Sequence, residues 1–178
     1  DPGLPDITIP APMAGAPVET NPPNTNYQSA FAGQTRIKGV KTTTPYQSII
    51  ITSALTAPWG ITNLPDGRLL ITEKAGSMRI VTATGTVGSP ITGIPAVNSG
   101  GQGGLLGLCV DPQFSSNRMV YWVFSEDVAG GTLTAVAKGR LSDRETSIEK
   151  ATVIYRANPA ATGNAHYGGR ILFDRTGN

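Results

Sequence analysis

Short apolar segments separated by turn residues fill the chain from Tyr46 onward, and this pattern most restricts what it can fold into. Examples are "WGITNL", "RLLIT" and "MRIVT", followed by "GLLGLCVDP", "RMVYWVFSE", "TLTAVAKGRLS" and "ATVIYRAN". No segment of ten or more residues places its apolar residues at the 3.6-residue period of a helix. The pattern therefore predicts an all-β chain.

Turn residues join these segments in a repeated way. Pro65-Asp66-Gly67 is typical of a hairpin turn, and "QFSSN" is expected to be a loop. Asp66, Asp111 and Asp174 recur after an apolar strand and are interpreted as turn residues. A repeat of roughly 45 to 65 residues suits the four-stranded blades of a β-propeller. A β-sandwich is the alternative, and "GRILFDRTGN" is expected to begin another strand pair.

The first 45 residues differ from the rest in composition. They are rich in Pro, Thr, Asn and Ala, and prolines remove backbone hydrogen-bond donors. We predict an extended N-terminal arm over residues 1–45 and the N-terminal part of a β-propeller catalytic domain over residues 46–178. Such a domain supplies two to three blades, whereas closed propellers have about four to eight. The remaining part of the propeller is therefore an expected partner.

Charge and cysteine content exclude several classes of function. The formal net charge is +2 with no basic cluster, which gives no reason to expect nucleic acid as a partner. The single cysteine, Cys109, rules out an internal disulfide and is expected to be a buried, inert thiol. No apolar stretch approaches the roughly 20 residues of a membrane span. The start at "DPGLPDITIPAP" resembles a mature or trimmed terminus.

Two glycine-flanked motifs carry the polar residues suited to chemistry. "GGQGGLLG" places Gln102 among glycines, where its amide can both donate and accept hydrogen bonds. "NAHYGGR" holds the only histidine, His166, a side chain suited to proton transfer near neutral pH. The first motif is not a dinucleotide-binding loop, because Leu106 stands at its third glycine position. The alternatives are a tight connection with an exposed Gln102 and a histidine bonded to a backbone carbonyl.

The other prominent side chains are expected to be structural. Arg170 is interpreted as pairing with a carboxylate between blades. Trp59, Trp122, Tyr121 and Tyr167 are expected to pack in the core or in loops.

Four stretches together resemble a known family. "APWGITNLPDGRLLITEKAGSMRIV", "GGQGGLLGLCVDPQFSSNRMVYWVFSE", "AVAKGRL" and "HYGGRILFDRTGN" are similar to the soluble pyrroloquinoline quinone (PQQ)-dependent aldose sugar dehydrogenases of the glucose/sorbosone dehydrogenase family. The resemblance covers about residues 55–178. It implies a six-bladed β-propeller with PQQ in the central cleft, held by calcium. It also implies oxidation of an aldose at C1 to the lactone, with an external electron acceptor.

The resemblance also implies roles for two residues. His166 stands at the position of the general base, and Gln102 at the position that contacts the sugar. The family's PQQ and calcium ligands are expected downstream of Asn178, so none is assigned in this chain. Ala165 replaces the carboxylate that precedes the histidine in the glucose-oxidising branch, which favours the broader aldose branch.

Two other functions remain as alternatives. One is a non-enzymatic propeller binding domain of the same family, which would need neither His166 nor Gln102. The other is a calcium-dependent propeller lactonase, whose metal site uses a ring of carboxylates rather than glycine-rich loops. Because PQQ enzymes of this kind work outside the cytoplasm, we expect a periplasmic or secreted protein.

Overall fold

The chain divides into two units, residues 1–49 and residues 50–178. The computed structural model describes residues 13–17, 20–22, 24–28, 30–31, 38–41 and 43–177. In the first unit, strand β1 (Met13–Pro17) pairs antiparallel with strand β2 (Lys38–Lys41), with a register shift before Pro17. Sequence reasoning missed this pair, because proline is tolerated in a sheet only at edges and irregularities.

The predicted catalytic domain begins after residue 45 and ends at Asn178. The boundary at residue 45 stays a prediction. The predicted domain extends to Asn178, and this residue lies outside the described residues.

The second unit contains two antiparallel sheets in which each strand pairs with the next along the chain. The first sheet consists of β3 (Pro58–Asn63), β4 (Leu69–Glu73) and β5 (Ser77–Val81). The second consists of β6 (Leu105–Val110), β7 (Met119–Val128), β8 (Gly131–Leu141) and β9 (Ile148–Arg156). The prediction of an all-β chain is confirmed. Within the described residues, no helix is long and apolar enough to cross a membrane.

Aspartates close the turns as the sequence predicts. Asp66 Oδ1 accepts the backbone N–H of Arg68 at 3.0 Å, and Asp174 Oδ1 accepts that of Thr176 at 2.8 Å. Asp111 Oδ1 accepts the N–H of Gln113 at 2.8 Å. The interpretation of all three as turn residues is confirmed.

The expected loop "QFSSN" is instead a single helical turn, α1 (Phe114–Asn117). The turn ends at Arg118, whose backbone is left-handed and whose N–H donates to the Phe114 carbonyl at 2.8 Å. Phe114 is buried, so one apolar side chain fixes a turn that is too short to show a helical period.

Residues 170–174 do not form the predicted strand. Their neighbour Gly169 accepts one backbone hydrogen bond, from Gly107 of β6 at 3.0 Å. A strand is stabilised by pairing along its length, and no ladder follows this bond within the described residues. The apolar pattern of "RILF" is therefore not sufficient for a strand here.

Both sheets contribute to one apolar core. Strand β8 shows the alternation of a half-buried strand, with every second residue from Leu133 to Leu141 buried. Trp122 and Phe124 of β7 are fully buried, as expected for Trp122. Each large side chain of this kind contributes about 1.5–3 kcal/mol when buried. Cys109 is half-buried rather than buried as expected, and burial raises the pKa of its thiol to about 11, which keeps the reactive thiolate scarce at neutral pH.

A carboxylate joins the two sheets at the end that carries the turn between β3 and β4 and the turn between β6 and β7. Glu145 Oε2 and Oε1 accept hydrogen bonds from Arg68 at 2.6 and 2.8 Å. Arg118 donates to Oε1 at 3.2 Å. Arg68 lies beside β4 and Arg118 beside β7, so this group of three charges holds the sheets together. We call this end of the sheets the Glu145 end.

Replacing Glu145 by Gln is expected to lower the free energy of unfolding by about 2 kcal/mol, because both arginines lose a charged acceptor in a partly buried site. The control is Glu149→Gln, which removes the exposed pair with Arg140 and is expected to change it by less than about 0.5 kcal/mol. Urea unfolding measures both. Equal losses in the two variants would show that the Glu145 contacts stabilise the fold no more than an exposed ion pair does.

The loss of unfolding free energy in Glu145→Gln is expected to depend on pH. Because Arg68 donates two hydrogen bonds to Glu145, the pKa of this carboxyl lies below its ordinary value of 4.5. The contribution of Glu145 is therefore complete above that value and is lost as the pH falls through the lower pKa of the folded state. The difference in unfolding free energy between wild type and Glu145→Gln, measured by urea unfolding, should therefore shrink as the pH falls below 4.5.

Candidate functional site

A tightly turned loop, residues 98–104, leads into β6; we call it the Gln102 loop. Gly101 and Gly104 have left-handed φ angles of 52° and 143°. A Cβ atom on Gly103 would lie 2.5 Å from the Asn98 carbonyl oxygen. These positions therefore require glycine, and the loop presents Gln102 as an exposed side chain.

Contacts from two directions hold the Gln102 loop. Lys74 Nζ, just after β4, donates to the Gly101 carbonyl at 2.6 Å. The N–H of Gln102 donates to the Asn164 carbonyl at 2.7 Å. Gly101 also lies against Asn164, because a Cβ there would approach the Asn164 carbonyl oxygen to 2.5 Å. The loop is thus fixed against the segment that carries the histidine. Sequence reasoning assigned no role to Lys74 or Asn164, although Asn164 begins the "NAHYGGR" motif, because their contacts with the loop join distant parts of the chain.

His166 and Gln102 are brought together although 64 residues separate them. The backbone N–H of His166 donates to Gln102 Oε1 at 2.8 Å. His166 is exposed and has a φ angle of 64°, a conformation that costs a non-glycine residue of the order of 1–3 kcal/mol. The Gln102 carboxamide therefore stabilises the backbone of His166 and leaves the imidazole facing solvent.

Tyr167 anchors the other side of the histidine. Its hydroxyl is 2.6 Å from Thr132 Oγ1, and its carbonyl accepts a hydrogen bond from Thr134 Oγ1 at 2.8 Å. The residue is buried, which confirms the packing expected for it. His166 is thus held between a buried tyrosine and an exposed glutamine, with its own side chain free of both.

A cleft of about 420 Å³ lies next to this segment. Its lining includes Trp59, Gly107, Gly168 and Arg170. Trp59 is 52% exposed, so the prediction that it packs in the core or in a loop is wrong. Arg170 forms no ion pair with any carboxylate of the described part of the chain, so the expected pairing between blades is absent there. Tyr121 packs edge-on against Phe173, as expected.

The hydrogen-bonding groups near His166 fit a quinone or sugar oxygen. The Nε2 amide of Gln102 can donate hydrogen bonds, and an imidazole can donate or accept them. In the ranges that the structure describes, no three His, Cys, Asp or Glu side chains lie close enough together to hold a metal. These residues therefore offer no calcium site. That the PQQ and calcium ligands lie downstream of Asn178 stays a prediction.

The sequence profile of the glucose/sorbosone dehydrogenase family matches residues 55–178. The chain belongs to this family. Both motifs of the candidate site and both sheets of the second unit lie within the matched range.

Three relatives illustrate the family relationship. The aldose sugar dehydrogenase YliI of Escherichia coli K12 is 35% identical over 130 residues, which are 72% of this chain and 35% of that protein. A glucose dehydrogenase crystal structure is 42% identical with a TM-score of 0.65, covering 69% of this chain and 36% of that one. The PQQ-bound aldose sugar dehydrogenase of Streptomyces coelicolor is 29% identical with a TM-score of 0.59, covering 71% and 37%.

These matches confirm the fold prediction for this glucose/sorbosone dehydrogenase family member. The chain spans about 35% of the length of the curated relative. Its three- and four-stranded sheets are two blades of a β-propeller, and residues 169–177 follow the second blade. The prediction of roughly two to three blades is therefore confirmed.

Replacing Gly107 by Ala tests how the histidine segment is attached to β6. The new Cβ would lie 1.9 Å from the Gly169 carbonyl oxygen, so one backbone must move and their hydrogen bond must lengthen. We expect a loss of about 1–3 kcal/mol in the free energy of unfolding. The control is Gly88→Ala, whose Cβ meets the Ile80 carbonyl oxygen at 3.2 Å and should cost less. Urea unfolding that ranks them in the opposite order would contradict the close contact.

Proposed function

We propose that this chain is part of a PQQ-dependent dehydrogenase that oxidises aldose sugars at C1 to lactones. Family membership over residues 55–178 and the PQQ-bound relative support the reaction class. The observation that carries the assignment to particular residues is the 2.8 Å hydrogen bond between His166 N–H and Gln102 Oε1. This bond places the two motif residues next to each other, and both are exposed.

His166 is proposed as the general base. An imidazole nitrogen of His166 takes the proton of the sugar C1 hydroxyl, while the hydride leaves C1. When bound, PQQ supplies the two-electron acceptor for this hydride. The imidazole suits this task because a histidine changes protonation state near neutral pH, and its exposure leaves it accessible to a substrate.

Gln102 is proposed to have two functions at once. Its Oε1 atom holds the His166 backbone, and its Nε2 amide remains able to donate to a sugar hydroxyl. One carboxamide would then fix the distance between the base and the substrate. The described residues supply only this edge of the site; calcium and the remaining PQQ contacts are proposed to come from the rest of the propeller, downstream of Asn178.

The first measurement uses the complete polypeptide, reconstituted with PQQ and calcium. Quinone reduction is followed spectroscopically as a panel of aldoses is added. Reduction that requires both PQQ and an aldose would establish the activity and its substrate class. Failure to bind PQQ would favour the non-enzymatic binding domain, and release of acid from lactones would favour the lactonase.

The substitution His166→Ala should leave PQQ binding intact and lower the rate of sugar oxidation on the order of 10²–10⁴-fold, because it removes the general base. Absorbance titration measures PQQ binding, and stopped-flow absorbance measures quinone reduction. Added imidazole should restore part of the rate. A rate near that of wild type would show that His166 is not the base.

Two substitutions at Gln102 separate its proposed functions. Gln102→Glu keeps an acceptor for the His166 N–H but loses the amide donor, so it should mainly raise the KM for the aldose. Gln102→Leu removes both groups, so kcat should also fall by about 10-fold or more as the histidine loses its position. Steady-state kinetics measure both. Identical kcat and KM values for the two variants would contradict the separation.

A further inference from the structure

Ser125, near the end of β7, is a fully buried polar residue at the base of the Gln102 loop. Its Oγ accepts the N–H of Gly104 at 2.6 Å and donates to the Asn98 carbonyl at 2.5 Å. Its own backbone bonds the same two residues, with the Ser125 N–H donating to the Gly104 carbonyl at 3.0 Å and the Asn98 N–H to the Ser125 carbonyl at 2.8 Å. One residue thus closes both ends of the loop.

Building on the proposed function, we propose that Ser125 is a positioning residue for proton transfer by His166. Its hydroxyl fixes residues 98 and 104, and this sets where Gln102 stands between them. Gln102 in turn fixes the His166 backbone through Oε1. The chain of contacts therefore runs from a buried hydroxyl to the imidazole without Ser125 touching the substrate.

Burial makes the Ser125 hydroxyl effective in this role. Because it is shielded from water, a lost partner cannot be replaced by solvent, and an unsatisfied buried group is costly. The space is also closed, since a Cβ atom on Gly103 would lie 2.7 Å from Ser125 Oγ. The loop therefore has little freedom to find a second arrangement while the hydroxyl is present.

The outer side of the loop has a weaker support. Asn98 Oδ1 accepts the N–H of Gly100 at 2.9 Å, and its Nδ2 donates to Asp127 Oδ1 at 2.6 Å. Asn98 is only partly buried, so water can replace these bonds in part. The side chain of Ser125, rather than that of Asn98, is thus the main constraint.

The chain offers a matched control in Ser142. This serine is also buried, and its Oγ accepts the N–H groups of Thr146 and Ser147 at 3.2 Å each. It closes a loop at the Glu145 end, away from His166. Removing its hydroxyl removes a similar loop support without affecting the Gln102 loop.

The experiment compares Ser125→Ala with Ser142→Ala in the complete polypeptide. Selective labelling with ¹⁵N-histidine shows the His166 amide, which His166→Gln assigns by its disappearance. We expect Ser125→Ala to move the His166 amide proton upfield, because its bond to Gln102 Oε1 lengthens, whereas Ser142→Ala leaves it unchanged. With PQQ and aldose, kcat should fall about 10- to 100-fold in Ser125→Ala and stay near wild type in Ser142→Ala.

The result is decisive in either direction. An unmoved His166 amide in Ser125→Ala, or equal changes in both variants, would overturn the positioning role. If Ser125→Ala does not fold, Asn98→Ala provides the same readouts with smaller expected changes, and Ser125→Cys, which keeps a weak donor and acceptor, should lie between alanine and wild type. Because the amide signal needs no turnover, an inactive polypeptide would refute the proposed function and leave this test intact.

Discussion

The arrangement of the site depends on how closely the backbone of β6 approaches the chain on either side. On one side, Gly60 of β3 lies so near that a Cβ would meet the Leu106 carbonyl oxygen at 2.6 Å, and Thr72 donates to that oxygen at 2.7 Å. On the other side, Gly107 donates to the Gly169 carbonyl at 3.0 Å. Side chains at these glycines would push the segments apart. The close approach places the histidine segment beside the loop that begins β6, and the Gln102–His166 contact follows from it.

This packing stabilises an unfavourable backbone conformation at His166, which is left-handed. A non-glycine residue at a φ of 64° persists only where its surroundings fix it. Here Gln102 accepts the His166 N–H, and the next residue, Tyr167, is fixed because its carbonyl accepts a hydrogen bond from Thr134. Gly168 and Gly169 also have positive φ angles, so the chain turns sharply on both sides of one buried tyrosine. The fixed backbone sets where the His166 side chain begins, in a chain that has Ala165 rather than a carboxylate at the preceding position.

Sequence reasoning found most of the strands and failed where packing outweighs local pattern. The strand β8 and the turn at Asp66 follow from local sequence, and both were predicted. The helical turn at Phe114 depends on burial of one side chain, and the pairing of β1 with β2 depends on contacts between distant segments. The motifs identified Gln102 and His166 separately, but their contact spans 64 residues, and no spacing rule reports it. Lys74 and Ser125 belong to the site only through three-dimensional contacts.

The two ends of the sheets are stabilised by different physical means. At the Glu145 end, two arginines share one carboxylate, an arrangement that is strong in a partly buried place and sensitive to acid. At the Gln102 end, the loop is held mainly by hydroxyl, amide and backbone groups, together with Lys74 bonded to a carbonyl and Asp127 bonded to the Asn98 amide. Neutral groups of this kind keep the same hydrogen bonds while a nearby base gains and loses a proton. Among the described residues, none of the ion pairs includes His166, so a change in the charge of this residue would break none of them.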